Sequence, residues 1–493
     1  MKMKYVASFD IGTTATKGLL VSIDKQVICS KSIAYKTIYK GDKKEQEPED
    51  WYRAFCEISK TFFERGYLAQ DIIGIVMSGQ MQDLICVDHL GQPLGPAILY
   101  SDARAIHEAK EITKSIGEDV LYTSTGNKLD GSIPFAKLLW VMRNEPSKYN
   151  EIYKILISSK DYCVSKLTDQ YITDMTSAAT SGLMDIQAKT WNKIWMKNMD
   201  LDPQILPELK YSQECVGEVT KRASIETGYN EGTKVYAGTG DAGATTLASG
   251  IANAGEYNIN IGTSGWIAGI SKDVLLKENV FNLAAMQKDF FINVIPFLNA
   301  GGVHKWITSV LAPEDQSDPY AYINLLLNES ESGSHDLMFL PYLSGERFPV
   351  LDDKAKGCYI GITPETTKND MVRACLEAVA FSIRQGLEVI GGKVDKITLI
   401  GGGAKVQLWC QIFADVFAKT IYVSEDTEFM PSIAITAAVF INQGLEKDYS
   451  SFIDSFLSSN SFTLYHPVQG DAERLNKKYK KYIEIYPAVK NLF

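Results

Sequence analysis

Two aspartates and two near-identical glycine turns are the residues of this chain best suited to chemistry. Asp10 opens Asp10-Ile11-Gly12-Thr13-Thr14, and the pattern returns as Asn260-Ile261-Gly262-Thr263-Ser264. Each copy follows an apolar, β-prone run and leads into another, so each reads as strand, tight turn, strand. Glycine lets backbone N–H groups approach an anion closely, and the small hydroxyls add donors. Two such turns, one opening each half, suit a polyphosphate gripped between two similar domains. A carboxylate at Asp10 could hold Mg²⁺ against a nucleotide's phosphates, directly or through water. Read alone, Asp10 is equally a strand-end residue capping its own turn. The neutral Asn260 in the second copy favours one metal held from one side.

Asp241 lies in Val235-Tyr-Ala-Gly-Thr-Gly-Asp241-Ala-Gly-Ala-Thr-Thr246. A strand runs into a small-residue turn, presents one acid and continues into a helix start. A helix N-terminus favours negative charge, so an ionised Asp241 is a candidate general base for a hydroxyl. Alone it reads first as an N-cap. Gly238, Gly240 and Gly243 leave room for a ligand that a cap does not need.

Three further groups carry weaker signals. Gly401-Gly402-Gly403-Ala404 follows a strand and lets a flat ring or a phosphate lie on the backbone. Its spacing is not the dinucleotide pattern, and no G-x-x-x-x-G-K-[ST] loop occurs. Ser78-Gly79-Gln80-Met81-Gln82-Asp83 and Tyr100-Ser101-Asp102-Ala103-Arg104 are polar clusters at strand or loop ends. Gln, Asp and Arg together suit a polyol, which offers many hydroxyls. Each cluster separately also reads as a solvated loop with an Asp–Arg pair.

These residues need elements to position them. Strands are predicted over 4–10, 16–23 and Val27–Ala34. A helix follows with Pro48 near its start, and Trp51, Phe55, Ile58 and Phe62 form one apolar face. The next strand, 71–77, ends at the Ser78 cluster. After the second glycine turn the order recurs: a helix over 377–391, a strand at Lys396–Ile400, a helix over 406–418 and a strand over 420–423. Alternating strands and helices predict an α/β architecture. The halves, 1–250 and 251–493, are expected to meet between Gly250 and Tyr257, in a stretch whose small residues suit a hinge or an ordinary loop. The tail from Tyr449 reads as a surface cap.

Composition bounds the alternatives. The 493 residues exceed one ordinary core, so two or more domains are expected. Hydrophobic content of 45% and charged content of 22% are ordinary globular usage. No apolar run reaches the roughly 18 residues of a membrane span. With no signal-peptide pattern at the start, a cytoplasmic location is expected. The eight cysteines are scattered without a C-x-x-C, and the five histidines form no H-x-x-x-H pair, which disfavours disulfide and zinc chemistry. A net charge of −10 disfavours nucleic acid and leaves an anion to be held by backbone donors and a metal.

Taken in order, these motifs resemble the FGGY family of carbohydrate kinases, within the actin/Hsp70/hexokinase-like superfamily, over nearly the whole chain. The matching pieces are Asp10-Ile-Gly-Thr-Thr with Lys17, Ser78-Gly-Gln-Met, Asp102-Ala-Arg104, Pro134-x-x-Lys137-Leu-Leu-Trp140, Asp161-Tyr with Leu167-Thr168, Gly240-Asp241-Ala, Gly262-Thr-Ser-Gly265, Leu340-Pro-Tyr-Leu-Ser-Gly-Glu346-Arg347 and Gly401-Gly-Gly-Ala404. The family's two signatures fit over 132–144 and 357–377, the second with one departure at Cys375. The resemblance implies two ribonuclease-H-like domains with a deep cleft, ATP on one side and sugar on the other. It implies Asp241 as the base, Asp10 as the Mg²⁺-side carboxylate, and phosphate contacts at Gly12, Thr13, Thr14, Lys17, Gly262, Thr263 and Ser264. Gly402, Gly403 and Gln407 would lie by the adenosine. Gln80, Met81, Gln82, Asp102, Arg104 and Asp241 would meet the sugar. The family is often dimeric, which implies a homodimer.

Within the family the likeness points to the xylulokinases, whose substrate loop usually reads Gln-Met-His-Gly. Here it is Gln80-Met81-Gln82-Asp83, and Tyr100-Ser101-Asp102 stands for the usual Trp-Asn-Asp. An Asp83 facing the pocket would disfavour a sugar acid. D-xylulose is therefore the expected substrate, ahead of another pentulose, a polyol or gluconate. Two readings compete: an ATPase switch of the same superfamily, which needs no polyol pocket, and a non-catalytic sugar-binding protein, which would require Asp10 or Asp241 to be missing, whereas both are present.

Overall fold

The structure, a computed structural model, describes residues 3–424, 429–458 and 462–493. Two seven-stranded sheets share one plan. In the first, Tyr5–Ile11, Ala15–Ser22 and Val27–Ala34 form an antiparallel meander. Ile72–Gly79 then joins the free side of Tyr5–Ile11 in parallel, followed by Lys234–Tyr236, also parallel, and by Cys215–Glu218 at the edge. In the second, Glu256–Ile261, Gly265–Ser271 and Phe291–Phe297 form the meander, with Phe281–Ala284 beyond it. Lys396–Ile400 and Ile421–Ser424 add in parallel, and Phe462–Tyr465 closes the edge.

The sequence predicts this duplication, yet the two turns differ in register. The first hairpin pairs Ile11 with Thr16, whereas the second pairs Ile261 with Gly265. The second loop is one residue tighter, and its three residues, Gly262 to Ser264, are all exposed.

Both faces of the first central strand are covered, which is why it reads as a nearly continuous apolar run. Alternate residues Ala7, Phe9 and Ile11 face the helix Pro48–Glu64, where Phe9 and Phe55 rings lie 4.2 Å apart. That helix starts on Pro48 with Glu49 and Asp50 in its first turn, and Trp51, Phe55, Ile58 and Phe62 are fully buried. The opposite face, with Val6, Leu19 and Val76, packs against Asp241–Ala248 and against Met430, Ile433, Phe440, Phe452 and Phe456.

The expected surface cap is thus corrected. The segment from Tyr449 completes the core of the first sheet, and Leu475, Tyr479 and Tyr482 lie in the core of the second. Its aromatics are spaced for helices that bury one face, while the intervening charges read as surface. The helix expected at 377–391 starts earlier, at Lys368, because a Thr367–Asp370 capping box satisfies its first amides. Among the described residues no helix is long and apolar enough to cross a membrane.

Candidate active site

Three adjacent parallel strand ends converge on one edge of the first sheet. Asp10 lies one residue before the end of Tyr5–Ile11 and pairs with Ser78, whose hydroxyl donates to Asp10 Oδ1 at 2.9 Å. Burial raises the Asp10 carboxyl, against the opposing pull of Ser78 and the Lys17 charge. Gly79 pairs with Gly240 of the short strand Thr239–Gly240, and the next residue, Asp241, starts the helix Asp241–Ala248. The enclosing protein walls, then the Asp10 charge, push the Asp241 carboxyl up to about 7 although its side chain meets solvent. The Ala242 amide at the helix start works the other way.

A buried ionic group fixes this edge from behind. Asp174 caps the helix Met175–Ala179 and accepts the Gly240 N–H at 3.3 Å. Lys160 Nζ bridges Asp161 at 2.5 Å and Asp174 at 2.9 Å, all three side chains being inaccessible. The glycines beside Asp241 serve this packing rather than a ligand. A Cβ at Gly238 would lie 1.9 Å from the Met77 carbonyl, and one at Gly243 would lie 2.4 Å from Thr239 Oγ1.

The first glycine turn is held by groups that sequence reasoning missed. Gln46 Nε2 donates to the Thr13 carbonyl at 2.6 Å, and Tyr35 donates to the Gly12 carbonyl. Gln46 Oε1 also accepts from Gln80 Nε2 at 2.9 Å and from Trp51 Nε1 at 3.1 Å, so one amide ties the turn to the Gln80 loop. Thr14 is exposed, and Lys17 sits opposite Asp10 in the hairpin.

The second turn opens onto a cavity of about 450 Å³ lined by Gly262, Thr263, Gly301, Gly402, Gly403 and Lys405, with His304, Tyr320 and Trp409 also on its wall. The N–H groups of Gly301 and Gly302 donate to the carbonyls of Gly262 and Thr263, both at 2.8 Å. Gly401 adopts φ +91°, and a Cβ there would sit 2.7 Å from the Ile261 carbonyl, so the turn requires glycine. Burial holds the His304 imidazole down at about 4, hence neutral at pH 7. Ser264 and Gln407 are exposed and outside this lining. Gln407 begins the helix Gln407–Phe417, one residue past Val406, which does line the cavity. Asn260 instead lines a smaller cavity of about 200 Å³ with Thr245, Ser249, Gly401 and Met430, drawn from both halves of the chain.

The polyol-type residues follow Ile72–Gly79. Gln80 is buried, and its Oε1 has no hydrogen-bond partner. Met81 packs against Gly240, where a Cβ would lie 2.4 Å from its sulfur. Gln82 takes φ +67° and donates from Nε2 to Ser132 Oγ at 2.7 Å. Asp83 is fully buried and accepts the Tyr100 N–H at 2.9 Å, so it does not face a pocket as one expectation supposed. Both Asp102 oxygens are engaged, by Arg104 at 2.6–3.0 Å and by the Lys44 N–H at 2.6 Å. Burial opposes the Asp102 charge, but these donors outweigh it and hold the carboxyl below the usual range. Arg104 also reaches Glu45 at 2.7 Å and lies over the Trp140 ring.

Comparison with known proteins decides what this arrangement belongs to. The chain matches the FGGY family of carbohydrate kinases, N-terminal domain, over residues 5–248, and the C-terminal domain of the same family over residues 257–431. It belongs to this family of carbohydrate kinases. The xylulose kinase of Staphylococcus xylosus is 32% identical over 495 residues, covering 99% of this chain and 100% of that one. A ligand-bound xylulose kinase and a gluconate kinase, both from Lactobacillus acidophilus, each superpose with a TM-score of 0.87 at 26% identity, over 99% of this chain and 98% of theirs. The fold is that of a two-domain FGGY kinase, and the protein is a phosphotransferase that uses ATP on a sugar.

In this FGGY kinase, Asp10, Ser78 and Asp241 share one sheet edge, and Gly262, Thr263, Gly402 and Gly403 share one cavity. Gly301, His304, Lys305 and Tyr320 of that cavity were not singled out from the sequence. The Gly301-Gly302 pair opening the helix Gly301–Leu311 was the available signal.

Proposed function

We propose that this kinase phosphorylates D-xylulose to D-xylulose 5-phosphate, with Asp241 as general base and Mg-ATP in the cleft between units 1–250 and 251–493. The observation that carries the mechanism is Asp241 itself: a solvent-reached carboxyl at a helix start, raised to about 7 beside Asp10. A base poised near the working pH is the most effective proton acceptor. Ionised Asp241 takes the proton of the attacking hydroxyl, the freed oxygen bonds to the γ-phosphorus, and the bond from that phosphorus to the ADP oxygen breaks. The turns at Gly12–Thr14 and Gly262–Ser264, with Lys17, hold the phosphates. Gly402, Gly403 and Gln407 serve the adenosine side. Gln80, Met81 and Gln82 meet the sugar, with the Asp102–Arg104 pair behind them. Holding both reactants in line contributes up to about 7–11 kcal/mol. The base adds about 10²–10⁴ in rate, roughly 3–5 kcal/mol, so positioning is the larger effect.

Asp10 fits a bound Mg²⁺, which keeps several waters and takes one or two carboxylates besides phosphates. It is a half-buried carboxylate at the strand edge, and burial leaves its charge poorly solvated, a condition a divalent cation relieves. When bound, Mg²⁺ neutralises phosphate charge. Asp10→Ala is expected to change the Mg²⁺ dependence of turnover, and an unchanged dependence removes the assignment. A homodimer in the cytoplasm completes this reading, on the family resemblance.

The full-length likeness to the Staphylococcus xylosus xylulose kinase supports D-xylulose. Gluconate is the second reading, because the buried Asp83 supplies no carboxylate to repel a sugar acid. A coupled ADP-release screen over pentuloses, hexuloses, polyols and aldonates tests the choice. Clear preference for anything but D-xylulose overturns it.

A further inference from the structure

Two buried ionisable residues, Lys137 and Asp83, take no part in the chemistry above, yet they touch both loops assigned to the sugar. Lys137 lies on the helix Pro134–Asn144 and is fully buried. Its ammonium donates to the Gln82 carbonyl at 3.0 Å and to the Leu99 carbonyl at 2.8 Å, with Ile98 O at 3.5 Å. Gln82 belongs to the loop after Ile72–Gly79, and Leu99 starts the loop that carries Asp102 and Arg104. One cation thus clamps the two loops together. Asp83 also joins the two loops: its Oδ1 accepts the Tyr100 N–H at 2.9 Å, while its own N–H donates to Ile157 O at 3.0 Å.

We infer that Lys137 and Asp83 are positioning residues that set the spacing of the two sugar-facing loops. The cost of the arrangement argues that it has a purpose. Burial raises the Asp83 carboxyl and lowers the Lys137 ammonium, and the charge of each acts against the shift of the other. Asp83 Oδ2 has no hydrogen-bond partner at all. Gln82 is held at φ +67°, a conformation that a side-chain-bearing residue adopts only under local constraint, and its carbonyl is one that Lys137 holds. Gln82 Nε2 is further tied to Ser132, two residues before the same helix. Moving the Pro134–Asn144 helix, or removing its cation, therefore changes how Gln80–Gln82 face Asp102–Arg104 without touching the nucleotide cavity.

The inference rests on the sugar-kinase reading, and the test separates the two. Lys137→Met, Lys137→Arg and Asp83→Ala are compared with the parent for kcat, for the KM of the preferred sugar and of ATP, and for thermal unfolding. Lys137→Met is expected to raise the sugar KM at least tenfold while the ATP KM stays within twofold. Lys137→Arg, which can still donate to both carbonyls, is expected to recover part of that loss. Asp83→Ala, which leaves the cation in place and frees the Tyr100 N–H, is expected to raise the sugar KM several-fold. It decides the matter if Lys137→Met does not fold. A sugar KM within twofold of the parent in the folded variants overturns the inference, as does a parallel rise of both KM values that tracks lost stability. A parent lacking sugar-dependent ADP release would instead remove the sugar-kinase reading itself.

Discussion

Asp241 combines exposure to solvent with a raised carboxyl, and both matter for use as a base. Replacing it with Asn keeps the shape and removes the proton acceptor. Sugar phosphorylation by Asp241→Asn is expected to fall by about 10²–10⁴, while ATP still binds. Near-parental turnover in a coupled assay, or lost nucleotide binding by titration, contradicts the role. The same carboxyl predicts a pH profile. Below about 7 it is protonated and cannot accept, so kcat/KM should climb as pH rises through that value. The folded-state value lies above the ordinary one of 3.8, so ionising Asp241 works against folding, and this penalty grows as pH rises from about 4 to 7. Asp241→Asn should therefore unfold at a higher temperature than the parent at pH 8 and show no such gain at pH 4. That is the usual opposition between a working site and stability.

At the scale of elements, the glycine turns act through what they let approach. Gly401 is the clearest case, since its left-handed backbone and the Ile261 carbonyl 2.7 Å from any Cβ leave no room for a side chain. Gly401→Ala is expected to displace the Gly402–Gly403 segment and raise the ATP KM at least tenfold, with the sugar KM nearly unchanged. Equal effects on both constants would locate the damage elsewhere. The strands were legible because Phe9, Ile11 and Val76 belong to runs buried from both sides, and the helix at Pro48 because its apolar face and start residues agree. The turn motifs were legible because few residues tolerate such backbone. What the sequence hid was the holding of these turns. Gln46 is one polar residue in a charged stretch, and nothing local marks it as the amide that joins Thr13 to Gln80. The direction of Asp83 was equally hidden, because a carboxylate after a polar loop reads as solvated until the Tyr100 amide is seen to claim it. The same holds for the glycines around Asp241, whose missing side chains make space for Met77 and Thr239.

At the scale of the whole molecule, the two sheets are joined by more than one connection. Helices Asp241–Ala248 and Met430–Ala434 pack together between them, and Ser8 of the first central strand donates to the Ser432 carbonyl. Farther out, Asn127 Nδ2 donates to the Asn282 carbonyl at 2.8 Å and the Asn282 N–H returns to Asn127 Oδ1 at 2.9 Å. Closing two units around both substrates would exclude water and limit wasteful hydrolysis of ATP. Phe452 is fully buried on the first sheet and edge-on to Phe440 at 5.4 Å. Phe452→Ala is expected to destabilise the protein by about 3–5 kcal/mol in denaturant unfolding, and a loss under 1 kcal/mol would mean this segment is not part of that core. Its place in the chain has a consequence for synthesis. The ribosome finishes the strands of the first sheet some two hundred residues before it delivers Phe440, Phe452 and Phe456. Until then the apolar face of Val6, Leu19 and Val76 lacks its last cover, so over that interval the nascent chain carries exposed apolar surface of the kind that invites aggregation.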